Sequence, residues 1–136
     1  MHVRLKDYLQ HPQFGILESD YYQRAILHIT RTRRFKEIWV ISDDCELAKH
    51  RLGNISLLHS DEFQVTWLET ESMTSFETLQ IMRNASGYVL SNSTFGWWGA
   101  LLSKYSSPEV VVPFPWFAAR PDPENMHPNN WVRLSR

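Results

Sequence analysis

The sequence has a single cysteine, Cys45, so no internal disulfide can close and nothing marks an oxidising compartment. No apolar run reaches the roughly 18 residues of a membrane span, and the opening Met1-His2-Val3-Arg4 lacks a charged-then-apolar leader pattern. The chain therefore reads as soluble and intracellular. A basic surplus is missing too: 14 Lys and Arg stand against 15 Asp and Glu, for a net charge of −1. Phosphate contacts need such a surplus, so no nucleic-acid partner is expected. Neither GxGxxG nor GxxxxGK[ST] occurs, no GxSxG turn offers a nucleophile, and the six histidines show no HExxH spacing. A metal site is not expected. With only 5 Gly and 7 Pro, and no internal repeat, disordered and fibrous classes are excluded as well.

What remains is globular. The 136 residues suit one compact domain, 43% of them hydrophobic, with 6 Trp and 7 Phe among the aromatics. The pattern alternates between two periods. Tyr21 to Phe35 carries apolar residues at helical spacing, and Glu37 to Ser42 is a β-branched run that ends in Asp43-Asp44. Cys45 to Leu52 reads as a short helix stopped by Gly53-Asn54, and Phe63 to Leu68 as a strand. Ser75 to Asn84 is predicted helical, with Phe76, Leu79 and Met82 on one face. The strand Gly87 to Leu90 leads through a polar turn into a Trp-rich helix, Phe95 to Lys104, and Val110 to Val112 is the last strand. No period is visible from Ala118 to Arg136. Such alternation predicts an α/β fold, a Rossmann-like parallel sheet with flanking helices. The reading places a domain at 1–117 and a tail packing on it at 118–136.

Ligands of such sheets sit beyond the carboxyl ends of the strands, which directs attention to three turns. After the strand Gly87 to Leu90, Ser91-Asn92-Ser93-Thr94 precedes a helix. Its hydroxyls and the helix amides could bind phosphate, or Ser93 or Thr94 could simply cap the helix. At the chain start, Arg4 could fork onto phosphate oxygens, or form an exposed ion pair with Asp7. Asp43 and Asp44 could cap the helix that follows, or accept hydrogen bonds from a base or ribose. Trp97 and Trp98 are expected in the core between helix and sheet.

Taken in order, these segments resemble the alpha-1,2-fucosyltransferases of glycosyltransferase family 11. The family signature His-x-Arg-Arg-Gly-Asp-Tyr stands here as His2-Val3-Arg4-Leu5-Lys6-Asp7-Tyr8. Tyr21-Tyr22, then Val40-Ile41-Ser42-Asp43-Asp44, then Asn92-Ser93-Thr94-Phe95-Gly96-Trp97-Trp98-Gly99-Ala100 follow, with Val112-Pro113, Trp116-Phe117 and Trp131 completing the series. Leu5 and Lys6 replace the second Arg and the Gly, and Thr78 stands where the family often has Asp.

The resemblance implies the carboxy-terminal, donor-binding half of a GT-B enzyme, without the amino-terminal domain that helps hold the acceptor. That enzyme would pass fucose from GDP-β-L-fucose, with inversion, to the 2-hydroxyl of a terminal galactose on a glycan. It requires no cofactor and no metal. Arg4 and Asp7 would be catalytic, and His2, Arg4, Asp43, Asp44, Asn92, Ser93 and Thr94 would bind the donor. The setting it implies is cytoplasmic, peripheral to the inner membrane. Two alternatives stand beside this expectation: a dead remnant that keeps the fold, and a transferase for another nucleotide sugar.

Overall fold

A computed structural model describes residues 1–136 and begins with a strand of two residues, β1 (His2–Val3). Helix α1 (Ser19–Thr32) follows, then β2 (Glu37–Ser42), α2 (Cys45–Leu52) and β3 (Gln64–Leu68). The second half holds α3 (Ser75–Met82), β4 (Gly87–Val89), α4 (Thr94–Leu101), β5 (Glu109–Phe114) and β6 (Val132–Ser135). All pairings are parallel, within two sheets ordered β1-β2-β3 and β4-β5-β6. One further bridge, His2 to Leu90, joins them, and the Ser91 N–H donates to the His2 carbonyl at 3.0 Å. Across the joint the strands run β3-β2-β1-β4-β5-β6, the order of a doubly wound nucleotide-binding sheet. The order reverses between β1 and β4.

Because side chains alternate across a strand, each face of the sheet has its own core. Val3, Val40, Val89 and Val111 turn to one side, where they pack with Tyr21, Tyr22, Ala25 and Ile26 of α1. Tyr88, Leu90, Val110 and Val112 turn to the other, against Ala100 of α4 and the indoles of Trp116 and Trp131. Strands covered on both faces need unbroken apolar sequence, which is what Val110-Val111-Val112 provides. The parallel α/β architecture expected from the alternation is present.

Three expectations need correction. The stretch 118–136 contains β6, which pairs with β5 from Val111–Val132 to Phe114–Ser135, although no period marked it. Phe76 is 69% exposed and Trp98 50% exposed, so neither lies in the core. On α3 it is Thr78 and Met82 that face inward. Trp97 and Trp98 sit about 100° apart around a helix, so a single sheet face can bury only one of them. Trp97 is the inner one, its indole N–H donating to the Met126 carbonyl at 3.1 Å. No helix is long and apolar enough to cross a membrane.

Helix α4 lies close to β1 because Gly96 has no side chain. A Cβ there would stand 2.9 Å from Nδ1 of the buried His2 ring. Gly96→Val should therefore destabilise the fold by about 1–3 kcal/mol, the usual cost of overpacking a rigid contact. Urea unfolding would show this as a lower midpoint with an unchanged slope.

Candidate functional site

The carboxyl ends of β1 and β4 form the switch point, and the residues that follow each strand are tied together there. After β1 the chain turns sharply, and Asp43 at the end of β2 holds the turn. Its carboxylate accepts from the Leu5 N–H at 2.8 Å and the Lys6 N–H at 3.0 Å. The same carboxylate stands 3.3 Å from Nε of Arg4, whose Nε donates to Asp7 at 2.8 Å. Two anions thus fix one edge of the guanidinium, while the Tyr8 ring lies 5.9 Å from its carbon. The two outer nitrogens of Arg4 make no hydrogen bond within the protein and the side chain is part-exposed. Arg4 accordingly offers an oriented fork whose outer edge has no partner within the protein.

Helix α4 starts beside this turn. Ser93 occupies its N-cap position without a side-chain hydrogen bond to the helix. The first helical bond is Trp97 N–H to Ser93 carbonyl, so the amides of Thr94, Phe95 and Gly96 have no acceptor in the protein. Helices α2 and α3 differ: Asp44 caps α2 by accepting from Leu47 N–H at 3.0 Å, and Thr74 and Glu77 form a capping box on α3. The capping alternative for Ser93 and Thr94 is not what the structure contains. Free amides and the positive end of the helix dipole suit an anion.

Several expected contact residues are spent inside the protein instead. Asn92 is 2% exposed, and its amide donates to the carbonyls of Phe14 at 2.7 Å and Gly15 at 3.3 Å. His2 is buried between β1 and α4, its Nδ1 3.0 Å from the Ser91 hydroxyl. Asp44 is the α2 cap, and Asp43 is the brace of the Arg4 turn. Thr78 is buried, its hydroxyl bonded to the Thr74 carbonyl. Of these, His2, Asp43 and Asn92 brace the two turns from within the protein. Arg4, Ser93 and Thr94 belong to the two segments at its rim, with Asp7 on the Arg4 side.

Sequence reasoning missed the clasp over the site. The Tyr8 hydroxyl donates to the Asn92 carbonyl at 2.8 Å, and Tyr8 stacks on Phe14 with ring centroids 4.8 Å apart. Gly15 has φ +69, and a Cβ there would lie 2.6 Å from that of Ala118; both the angle and the space call for glycine. From α1, the Tyr21 hydroxyl donates to the Leu90 carbonyl at 2.7 Å. Tyr8 and Tyr21 were legible only as members of motifs. On the β2–β3 side Asp44, Glu46, Glu69 and Glu71 line an acidic hollow, which repels phosphate and confines an anion to the Arg4 side.

Electrostatics follow from burial and pairing. The hydrogen bond from Arg4 holds the Asp7 carboxyl below its ordinary range. Burial, helped by the N-terminal ammonium and by Arg4, pushes the His2 imidazole down to about 3.

A family model described as glycosyl transferase family 11 matches residues 1–135. The O-antigen biosynthesis glycosyltransferase WbnK of Escherichia coli is 30% identical over 98% of this chain and 43% of its own length. An alpha-1,2-colitosyltransferase of Escherichia coli is 28% identical over 100% of this chain and 47% of its own. The chain thus spans less than half the length of these relatives. No solved structure matches.

The His2 shift has a measurable consequence. The unfolded imidazole takes its proton near 6.5 and the folded one near 3, so the unfolded state binds more protons between them. Stability should fall as the pH drops below 6.5, with His127 acting in the same direction. His2→Gln should flatten thermal midpoint against pH between 6.5 and 5. An unchanged slope would mean that His2 is protonated in the fold.

Proposed function

The chain belongs to glycosyl transferase family 11, and from that premise we propose that it is the donor-binding part of an alpha-1,2-fucosyltransferase. Family membership supports a part of a glycosyltransferase that works with a nucleotide-sugar donor and a glycan acceptor. In our reading the donor is GDP-β-L-fucose. Its diphosphate sits between Arg4 and the leading amides of α4, at the reversal of strand order. The acceptor is the 2-hydroxyl of a terminal galactose, approached from a second, facing domain of a GT-B pair.

One observation carries this reading: the outer edge of Arg4 is unengaged while its inner edge is gripped by Asp7 and Asp43. As the glycosidic bond breaks, positive charge builds on the sugar ring and negative charge on the departing diphosphate. A guanidinium already oriented by two carboxylates stabilises that anion without reorganising during the reaction. The Thr94, Phe95 and Gly96 amides add donors from the other side. Asp7, held below its ordinary range by Arg4, is a weak base, which suits positioning of Arg4 better than deprotonation of the acceptor. Inversion follows when the galactose hydroxyl attacks the face opposite the leaving diphosphate. A second reading keeps the site and changes the sugar, since one relative is named for colitose transfer.

Calorimetric titration with GDP tests the proposal. Arg4→Ala should weaken GDP by about ten- to hundredfold, the worth of charged hydrogen bonds. Arg4→Lys should weaken it as well, since a point charge cannot replace a fork. Asp44→Ala should cost about 1 kcal/mol of stability through the lost cap and leave GDP affinity unchanged. No binding at millimolar GDP, or binding indifferent to Arg4→Ala, overturns the reading. Competition between GDP-fucose and other nucleotide sugars separates the two donors.

A further inference from the structure

Helix α4 carries no charged residue and is apolar after its first position, yet one side of it faces water. Its buried positions are the small ones, Gly96, Gly99 and Ala100, and a Cβ on Gly99 would stand 2.7 Å from the Met82 methyl carbon. The large residues stand outside. Trp98 is 50% exposed, Leu101 43% and Leu102 40%, neighbours on one stripe, and Tyr105 in the turn that follows is 50% exposed. A surface helix normally has this pattern the other way round. One that is apolar on every side is buried or lies against lipid.

Cations collect beside the stripe. Arg83, at the end of α3, donates from Nε to the Leu102 carbonyl at 2.8 Å, and the Lys104 amine donates to the Asn84 side chain at 2.8 Å. Arg33, just past α1, donates to the carbonyls of Ser86 at 3.3 Å and Ser107 at 3.5 Å. That contact sets the basic run Arg31, Arg33, Arg34 and Lys36 beside the turn that holds Tyr105. None of these six cations is paired with a carboxylate; the ion pairs of the protein lie elsewhere. No Asp or Glu occurs between Glu77 and Glu109. Glu37 and Glu109 open β2 and β5 at this end of the sheet, and Asp61 and Glu62 precede the edge strand β3, so the cations remain in surplus.

We propose that the outer face of α4 and the turn after it form a docking surface for a lipid bilayer with anionic headgroups. Trp98, Leu101, Leu102 and Tyr105 enter the boundary between headgroups and acyl chains, and the six cations lie along the phosphates. Two observations favour a bilayer over a protein partner. Four half-exposed side chains offer on the order of 400 Å² of apolar surface, about half of the ~800 Å² a side of a standard protein interface. Trp and Tyr flanking Leu, with unpaired Lys and Arg at the edge, is also the residue set of a membrane interface. Because the whole chain carries a net charge of −1, an anionic bilayer attracts this face selectively and orients the protein on it.

Sedimentation with vesicles of phosphatidylcholine, alone and mixed with phosphatidylglycerol, tests the surface. Binding should need the anionic lipid and weaken as salt rises. Trp98→Ala and Leu101→Ser should each weaken it about tenfold, the worth of a buried apolar side chain. Lys104→Gln should cost about fivefold on the mixed vesicles and nothing on the neutral ones. Brominated acyl chains should quench the tryptophan fluorescence of the protein, and Trp98→Phe should lose most of that quenching. Absence of binding to the mixed vesicles overturns the proposal. Binding that Trp98→Ala and Leu101→Ser leave unchanged does so too, since another face is then in contact. So does a dimer that forms without lipid and that Leu101→Ser dissolves, because a second copy is then the occupant. Should Trp98→Ala fail to fold by circular dichroism, Lys104→Gln and the quenching supply independent readouts. No nucleotide enters these measurements, so their failure leaves the donor site untouched.

Discussion

The Asp43 carboxylate is the interaction on which the rest of the rim depends. It sits at the end of β2 yet binds two backbone amides that follow β1 and faces Arg4 as well. A short strand such as β1 has few ladder bonds to set the direction of the chain leaving it. One anion with several acceptor sites supplies that direction, and it does so with charge-assisted bonds, the stronger kind. The loop it anchors is then pressed down by Tyr8 and Asn92 onto the start of α4. Geometry at the rim is thus inherited from a side chain engaged with two backbone amides and with Arg4.

The alternation of strands and helices was legible because each element keeps one period from end to end. Ile38 to Ile41 and Val110 to Val112 are unbroken apolar runs, as strands in the middle of a covered sheet demand. Strand β6 escaped notice for the opposite reason: at the edge of the sheet Val132-Arg133-Leu134-Ser135 buries only alternate residues, over four positions in a proline-containing stretch. Phe76 and Trp98 show the weakness of reading a short helix by its apolar residues alone. Over eight residues the burial stripe is two turns long, and Thr78 takes a place on it by bonding its hydroxyl to the turn before.

At the site, charge was easier to read than orientation. Arg4 and the turn before α4 were legible as a cation and a donor-rich helix start, and the structure brings their segments together through Tyr8 and Asn92. A polar side chain in a turn looks the same whether it faces a ligand or a neighbouring backbone group; Asn92 and His2 proved to face inward, and Asp44 to cap α2. The distinction lies in contacts such as Asn92 to Phe14, which join positions far apart in the chain.

The last residue shares in this arrangement. Arg136 donates to the carbonyls of Phe14 and Trp116, and its head packs beneath Gly15, while Arg24 holds Ser135 from α1. The loop that Asn92 grips from above is therefore held from beneath by the Arg136 guanidinium. Trimming that one side chain would slacken the turn before α4 through β6 without touching a single residue of the rim.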